Sequence, residues 1–516
     1  MMNFVRSSLL VWVGLMAVGA AGQDAAGPIR LDPGNPHYFQ YRGKTMALMT
    51  SGEHYGAVLN TAFDGKKYLA ALTAAGMNET RLFGGSYVEV PGKSFGIARN
   101  DLAPGPGDFL APWARSGTAG YAGGGDKFDL EQWDPKYFAR LKDFLEEAQR
   151  RGIVVEISLF SSQYGEAQWN LSPFHPANNV NGVALDDWKK VNTLENGKIL
   201  RYQEAYVRKL VREANGFDNV IFEIQNEPWS DRPVRAAMIN PYLFPPARDQ
   251  FPNTLETADG LSLAWQAAVA GWITDEEARL PQRHLIAQCI TNFRLAVGAV
   301  IPGVSVVNFH YAYPEAAAWN AGLGRAIAYD ETGFLGRDDA VYRRQAWNFM
   351  LSGGGAFDAL DYSFSAGHED GSDAAANGPG GGSAALRNEL GVLSRFLQGL
   401  PLRQMEPDAV SVVHAGGAVA RTLAWAGHTY GIYLDGDGPV TVELRLPRGS
   451  YTGEWVDVVT GASVGDAEVR SLGGVVPVVS PEFKDGIALR LDRRGALYWG
   501  EAADAPSRFS STSAAR

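Results

Sequence analysis

Cysteine is almost absent from this chain, and its scarcity limits the possible chemistry. Cys289 is the only cysteine among 516 residues, so no disulfide can form within the chain. It lies in an apolar run, residues 284–290, where a small buried side chain is expected rather than a nucleophile. Positive charge is also scarce, since 46 Lys and Arg against 57 Asp and Glu give a net charge of −11. Nucleic acids are bound largely through cations that neutralise phosphates, so we expect no nucleic-acid partner.

Long apolar runs are missing as well. A stretch from Leu9 to Ala21 follows a start that carries Arg6, and it is too short to favour a membrane span. A basic start, a short apolar core and small residues at its end are typical of a secretory signal peptide. We therefore predict a signal peptide over residues 1–22, a secreted or periplasmic protein and no membrane anchor.

Two carboxylic acids end apolar segments of the chain. Residues 219–226 form an apolar, β-branched run that leads into Asn226, Glu227 and Pro228, and the proline should stop the strand because it has no N–H to donate. Residues 324–330 form a second such run that ends in Glu331. The two glutamates are 104 residues apart, which fits three strand-plus-helix units of ~30 to 40 residues. The spacing predicts strands 4 and 7 of an eight-stranded barrel, whose C-terminal edge carries the catalytic groups in barrel enzymes.

These motifs resemble the clan A glycoside hydrolases, the cellulase-like superfamily of retaining enzymes on a (β/α)8 barrel. The resemblance implies that Glu227 is the acid/base and Glu331 the nucleophile. Residues 77–83 are similar to the family's strand 2, which implies that Arg81 lies beside the nucleophile. Residues 308–313 are similar to its strand 6, which implies a site role for His310. The family's His-x-Tyr spacing is not kept, because position 312 is Ala, so Tyr311 and Tyr313 are both candidates for the tyrosine.

Other residues are candidates for binding sugar. In the resembled family the counterpart of Asn226 bonds the sugar 2-hydroxyl, but strict alternation puts Asn226 and Glu227 on opposite faces, so both reach the site only if the backbone kinks. Glu223 lies a layer below and is expected to be a buried structural acid. Aromatic rings can pack against pyranose faces, with core packing as the alternative for each ring. The candidates are Trp229, Tyr311, Tyr313, Tyr362 and, as a polar contact, His54.

The chain is long enough for two domains. With 46% hydrophobic and 20% charged residues, it is composed like a globular protein. We predict a (β/α)8 barrel over residues 28–400, a smaller all-β sandwich over residues 403–500 and a disordered tail over residues 501–516. A hairpin at residues 37–44 should plug the bottom of the barrel. A long connection, residues 88–132, should leave from the catalytic face, where long loops are usually functional.

The limits of several elements are also predicted. Strand 1 is expected at residues 45–50, strand 3 at residues 153–160 and strand 8 at residues 360–364. Helices are expected at residues 134–151 and 338–351, because apolar residues recur there at helical spacing.

The resemblance implies a retaining hydrolase of O-glycosidic bonds, with β-linked bonds as the expected substrate, a carbohydrate partner and no cofactor or metal. An exported carbohydrate-binding or surface protein with an inactive barrel is the alternative. A third hypothesis is metal-dependent hydrolysis by Glu53, His54 and His310, but no clustered ligand spacing supports it. The sequence predicts neither the sugar and linkage, nor internal or terminal attack, nor the oligomeric state.

Overall fold

A computed structural model describes residues 27–237, 254–374 and 379–495. The predicted signal peptide, residues 1–22, and the predicted tail, residues 501–516, lie outside the described residues. None of the described helices combines the length and apolar character that crossing a membrane requires.

The described residues up to 360 contain three antiparallel strands, a barrel sheet and two further antiparallel strand pairs, β6–β7 and β10–β11. Their strands are β1 (Arg30–Asp32), β2 (Asn35–Tyr41), β3 (Lys44–Met46), β4 (Leu48–Gly52), β5 (Glu79–Phe83), β6 (Trp113–Ala119), β7 (Asp126–Trp133), β8 (Val154–Ser161), β9 (Val220–Asn226), β10 (Pro233–Ala237), β11 (Thr254–Ala258), β12 (Leu285–Asn292), β13 (Val304–His310), β14 (Ala326–Thr332) and β15 (Ala356–Leu360). Eight of them are parallel and hydrogen-bonded in the order β4-β15-β14-β13-β12-β9-β8-β5. The predicted (β/α)8 barrel is confirmed, with β9 as its fourth strand and β14 as its seventh.

Among the described residues, helices follow seven of the eight barrel strands and cover their outer faces, and none lies between β12 and β13. The described helices are α1 (Gly65–Ala74), α2 (Pro135–Arg151), α3 (Glu166–Trp169), α4 (Ile199–Ala214), α5 (Gly260–Glu277), α6 (Pro314–Asn320), α7 (Asp339–Met350) and α8 (Ala384–Gln398). The side chain of Asp134 accepts a hydrogen bond from Lys136 N and caps α2, and Gly152 ends this helix with a left-handed backbone. Asp338 caps α7 in the same way. Both predicted helices are confirmed, with their first residues acting as caps.

Strand alternation divides the barrel into an outer and an inner surface. Phe222 and Ile224 of β9 point outward into one apolar cluster with Val207 and Trp265 of the helices. Ile221 points inward to the floor of the barrel, which the β1–β3 sheet covers. Phe39 and Tyr41 of β2 belong to this floor cluster. The predicted plug is therefore present, and the interior above it is free for polar groups.

The two ends of the barrel sheet, β4 and β5, meet at a seam that a side chain joins. Asn78, just before β5, accepts a hydrogen bond from Met49 N on Oδ1 at 2.7 Å. Its Nδ2 donates to Ala47 O at 3.0 Å, and its backbone N–H donates to Met49 O at 3.1 Å. The buried Asn78 thus joins β4 and β5 at this point through its own hydrogen bonds, in place of the regular pairing of two strands.

Three predicted limits differ from the structure. Strand 1 is Leu48–Gly52 rather than residues 45–50, because Lys44–Met46 pairs with β2 instead. Strand 8 is Ala356–Leu360 rather than residues 360–364, because Asp361 starts a turn by accepting the Ser363 N–H on its side chain. The 88–132 connection is partly ordered into the β6–β7 hairpin.

Residues after 400 form the predicted all-β part, which consists of two antiparallel sheets. Their strands are β16 (Glu406–Pro407), β17 (Val412–His414), β18 (Val419–Trp425), β19 (Thr429–Asp435), β20 (Thr441–Leu446), β21 (Gly449–Asp457), β22 (Ser463–Ser471), β23 (Gly474–Val479) and β24 (Ile487–Arg493). One apolar cluster draws residues from both sheets. Tyr433 stacks on Trp347 of α7 with ring centroids 5.3 Å apart, so this part packs on the outside of the barrel.

Candidate active site

Both predicted acids lie at the C-terminal ends of barrel strands. Glu227 follows β9 directly, and Glu331 is the sixth residue of β14. They open into one pocket of about 420 Å³. Its lining residues are His54, Tyr55, Phe83, Glu89, Phe95, Leu102, Tyr164, Asn226, Glu227, Tyr311, Glu331 and Phe334. The pocket therefore occupies the edge where barrel enzymes carry their catalytic groups.

Several pocket residues have a left-handed backbone, which is rare for residues other than glycine. The φ angle is 67° at Tyr55, 59° at Tyr164, 46° at Glu227, 52° at Tyr311 and 64° at Phe334. Such strained residues cluster at functional sites, where the surrounding structure holds them in place. The turn at Glu227 is the kink that the sequence requires, because it lets this residue and its neighbour before it in the chain face the same pocket.

The two carboxylates are close together, with a histidine between them. Single oxygens of Glu227 and Glu331 and a ring nitrogen of His310 all lie within 4.8 Å of one another. His310 Nδ1 is 2.9 Å from Oε1 of Glu227 and 3.5 Å from Oε1 of Glu331. Burial lowers the pKa of His310, but Glu331 and Asp330 raise it more strongly, so its net pKa lies well above the usual value. The charged form of the ring is therefore favoured, and its Nδ1 contacts both acids.

Glu331 is surrounded by groups that favour its ionised form. The hydroxyl of Tyr311 donates to Oε1 at 2.8 Å, and the hydroxyl of Tyr55 donates to Oε2 at 3.3 Å. Arg81 Nη1 lies 3.4 Å from Oε2. Burial raises the pKa of Glu331, but the charge and hydrogen bond of His310 and the charge of Arg81 outweigh it and lower the pKa to about 2. Glu331 is thus an anion at neutral pH, as a nucleophile must be.

Glu227 has a different set of partners. The hydroxyl of Tyr164 donates to Oε2 at 2.9 Å, and Ser230 Oγ donates to the same oxygen at 3.3 Å. Asn226 Nδ2 in turn donates to the Tyr164 hydroxyl at 2.7 Å. Asn226 Oδ1 accepts from Arg81 Nη2 at 2.9 Å. These contacts fix the direction of the Glu227 carboxyl and tie it to the asparagine beside it.

Beneath the two acids lies a buried polar layer centred on Arg81. Its guanidinium donates to both oxygens of Glu223, with Nη2 2.6 Å from Oε1 and Nε 3.0 Å from Oε2. Glu223 is fully buried and also accepts from Ser158, Cys289 and Asn308. Glu223 therefore has the structural position that the sequence predicts. Cys289 is buried in the same layer.

The structure places the predicted aromatic candidates in different surroundings. Tyr311 lines the pocket, whereas Tyr313 stacks on Phe293 with centroids 5.6 Å apart. Trp229 is buried and meets the ring of His310 edge-on, at 5.4 Å. Tyr362 packs behind His54, with centroids 5.9 Å apart. Of the two tyrosines after β13, Tyr311 is therefore the one that faces Glu331.

The sequence reasoning missed several residues of the pocket. They are Tyr55, Phe83, Glu89, Phe95, Leu102, Tyr164 and Phe334. Tyr164 could have been found, because it follows the polar residues 161–163 at the end of the third barrel strand. Phe95 and Glu89 lie in the 88–132 connection, where the sequence predicts a functional loop without indicating which side chains enter the site.

The three residues of the metal-dependent alternative have separate partners. Glu53 accepts the backbone N–H groups of Gly56 and Ala57, and His54 Nε2 is 3.3 Å from Glu89. His310 lies between the two catalytic candidates. Among the described residues, two clusters of His, Cys, Asp or Glu side chains bring possible metal-ligand atoms within 4.8 Å of one another, and both contain His310. They are Glu227, His310 and Glu331, and Glu223, Cys289, His310 and Asp330.

Comparison with known proteins finds similarity in structure only. No protein-family model and no curated protein matches the chain. A protein from Bacteroides vulgatus ATCC 8482, described as a candidate glycoside hydrolase, matches 92% of this chain and 83% of its own at 15% identity, with a TM-score of 0.62. A glycoside hydrolase family 5 structure from the same organism matches 90% of this chain and 94% of its own at 12% identity, with a TM-score of 0.57. The chain therefore shares the barrel fold of the cellulase-like, clan A glycoside hydrolases.

Proposed function

We propose that this protein is a retaining glycoside hydrolase that cleaves β-linked O-glycosidic bonds by double displacement. One observation carries the proposal: one carboxylate oxygen of Glu227 and one of Glu331 lie within 4.8 Å of each other at the ends of the fourth and seventh barrel strands. Retaining enzymes keep their two carboxyl groups about 5 to 5.5 Å apart, whereas inverting enzymes need about 6.5 to 9.5 Å to admit a water molecule. The close approach of the two oxygens favours the shorter, retaining arrangement, in which one carboxylate attacks directly.

Each residue has a defined role in this mechanism. Glu331 attacks the anomeric carbon while Glu227 gives its proton to the leaving oxygen, so the glycosidic C–O bond breaks as the glycosyl-enzyme ester forms. Water then attacks the same carbon, gives its proton to Glu227 and releases Glu331. His310, Tyr311 and Tyr55 hold the nucleophile through the contacts described above. Asn226 binds the 2-hydroxyl of the sugar, a contact that tightens in the transition state.

Export is part of the same proposal. It rests on the signal-like sequence of residues 1–22, which leads to a secreted or periplasmic location. The residue types in the pocket are suited to a neutral carbohydrate, because aromatic rings and hydroxyl acceptors are what sugars contact.

The proposal is tested with a panel of 2,4-dinitrophenyl and 4-methylumbelliferyl β-glycosides. Wild type should release the aglycone from at least one sugar, and Glu331→Ala should abolish turnover. Glu227→Ala should retain activity on the dinitrophenyl glycoside, whose leaving group needs no proton, and added azide should yield a glycosyl azide of retained configuration. Glu482→Gln, an exposed site in the C-terminal part, is the matched control. An inverted azide product, or rescue patterns swapped between the two glutamates, would contradict the assignment.

An exported binding protein with an inactive barrel is the second candidate. The close acid pair argues against it, because binding alone does not need two carboxylates at this separation. A protein that binds oligosaccharides but does not cleave them, and that a 2-fluoro glycosyl fluoride does not label at Glu331, would favour this candidate. Activity that a chelator leaves unchanged would dispose of the metal-dependent alternative.

A further inference from the structure

A loop between β5 and β6 extends over the pocket and closes one side of it. Phe95 lies in this loop and lines the pocket. Its ring meets Tyr164 edge-on at 5.1 Å and Phe334 at 6.3 Å. These two partners follow the third and seventh barrel strands, so the loop spans the barrel mouth from one side to the other. The three rings form an aromatic bridge, Tyr164–Phe95–Phe334.

The same loop is fastened to the connection that follows the eighth strand. Arg99 Nη1 pairs with Asp373 Oδ1 at 2.8 Å, and Asp101 Oδ1 accepts the Ala366 N–H at 3.1 Å. Asp373 and Ala366 belong to the connection after the eighth strand. The side chain of Asp101 is buried. Two connections therefore join into one wall beside the first and second strands.

A carboxylate in this wall faces the pocket. Glu89 Oε1 lies 3.3 Å from His54 Nε2 and accepts the Tyr87 hydroxyl at 3.3 Å, while Oε2 accepts from Asn100. Glu89 is only 3% exposed, so its position is set by these donors and not by solvent. An ionised carboxylate offers about four acceptor positions, of which three are used here. The remaining capacity can accept a hydroxyl group of a ligand.

The position of the acids defines where a sugar lies against this wall. The leaving oxygen must be near Glu227, which gives the proton, and the attacked carbon must be near Glu331. The rest of the sugar ring therefore extends away from the fourth strand, toward His54 and Glu89 beside the first and second strands. A second sugar on that side would have to occupy the place of the wall.

We propose that the pocket admits only the terminal, non-reducing residue of a neutral chain, and that Glu89 is the specificity-determining residue that binds its hydroxyl groups. This inference rests on the proposed glycosidase function and adds the mode of attack and the class of sugar. An acidic sugar would place a second carboxylate beside Glu89 and be disfavoured. Single neutral sugars are thus removed from chain ends.

The mode of attack is tested on wild type with reducing-end-labelled cello-, manno- and xylohexaose. At early turnover, chain-end attack gives a monosaccharide and a labelled pentamer and no shorter labelled product. Early labelled dimers to tetramers would overturn the inference while leaving the glycosidase proposal intact. Failure to cleave any oligosaccharide or aryl glycoside, together with no labelling of Glu331 by the 2-fluoro sugar, would overturn both.

The role of Glu89 is tested with Glu89→Gln on the preferred aryl glycoside and on its 3-, 4- and 6-deoxy analogues. A hydrogen bond to a charged group is expected to change kcat/KM by about 10- to 100-fold. For the wild type, kcat/KM should fall by that factor on one deoxy analogue relative to the parent glycoside. For Glu89→Gln, kcat/KM should fall by the same factor already on the parent glycoside, and its values on the parent and on that analogue should differ by less than about 3-fold. Equal discrimination by wild type and variant would show that Glu89 only supports the loop.

Phe95→Ala provides an independent test that keeps the Glu89 contacts. Removing the ring opens the aromatic bridge, so the variant should produce shorter labelled fragments from the hexaose that wild type does not produce. The Glu482→Gln control should keep the wild-type pattern, and melting curves check that each variant is folded. A Phe95→Ala product pattern identical to that of wild type would overturn the role of the bridge in closing the pocket.

Discussion

Arg81 makes its closest ion pair with Glu223, at 2.5 Å between Nη2 and Oε2, and reaches Glu331 only at 3.4 Å. The arginine therefore supports Glu331 from a layer below and donates its shortest hydrogen bonds to a structural acid. His310 stands closer to the reaction, because it contacts both catalytic candidates. The two cations should thus respond differently to mutation.

Replacing Arg81 with Met should mainly lower the free energy of unfolding, and it should have a smaller effect on the pH dependence of kcat/KM. Glu223 would be left buried without its cation, a loss expected to cost about 3 to 5 kcal/mol. The pKa of Glu331 should also rise, because one of the cations that lower it is gone. Denaturant unfolding and the pH profile of kcat/KM measure the two effects. An unmoved acidic limb would remove Arg81 from the electrostatics of the site.

Replacing His310 with Gln should move the acidic limb further than Arg81→Met does. The proposed mechanism requires ionised Glu331, and His310 is the largest of the groups that oppose the effect of burial on its pKa. Loss of a nearby cation typically raises a carboxyl pKa by about 1 to 3 units, so activity should fall at a higher pH than in wild type. The pH profiles of the two variants measure both movements, and a larger movement in Arg81→Met would contradict this ranking of the two cations.

Tyr164→Phe should impair leaving-group protonation selectively. The hydroxyl of Tyr164 links Asn226 to the Glu227 carboxyl, and its loss should misdirect the acid. We expect kcat/KM to fall by about 10-fold or more on a methylumbelliferyl glycoside, since a hydrogen bond to a charged group is lost. The dinitrophenyl glycoside, which needs no proton, should be affected much less. Equal losses on both substrates would assign Tyr164 to sugar binding instead.

Asn78→Ala should weaken the barrel without touching the pocket. The variant removes two buried hydrogen bonds to Met49 and Ala47 and leaves their backbone groups unsatisfied, at a cost of about 2 to 4 kcal/mol. Urea unfolding measures the change in the free energy of unfolding. A loss below about 0.5 kcal/mol, the range of ordinary surface substitutions, would show that the seam does not depend on this side chain.

The sequence predicts the barrel and its two acids because both leave local signals. Apolar strands that end in Glu227 and Glu331 recur at a regular spacing, and helix caps such as Asp134 stand at the predicted positions. Strand limits are less accurate, because Lys44–Met46 has as much strand character as its neighbours and only its pairing with β2 decides its place. The domain limits at residues 400 and 403 stay a prediction.

The remaining pocket residues could not be predicted, because their positions depend on tertiary contacts. Glu89 and Phe95 lie in a loop that Arg99 and Asp101 fasten to the connection after the eighth strand, a contact between segments far apart in sequence. Tyr55 and Tyr164 point inward through left-handed backbone conformations that their residue type does not favour. Side chains alternate between the two faces of a sheet only within a strand, so this rule does not predict the direction of a side chain in the turn that ends the strand.

The Asn78 seam has a consequence for how the pocket can change its width. His54 and Tyr55 follow the strand on one side of the seam, and Phe83 ends the strand on the other. The two edges are joined by three hydrogen bonds of Asn78 and by the Phe83 N–H, which donates to Tyr55 O at 3.0 Å. This seam should open before the strand ladders separate, because local opening begins where the fewest hydrogen bonds must break. We therefore expect amide hydrogens of residues 48–52 to exchange faster than those of residues 220–226. The barrel can therefore widen at this seam, and the part of the pocket wall that is attached to its two edges would move with them.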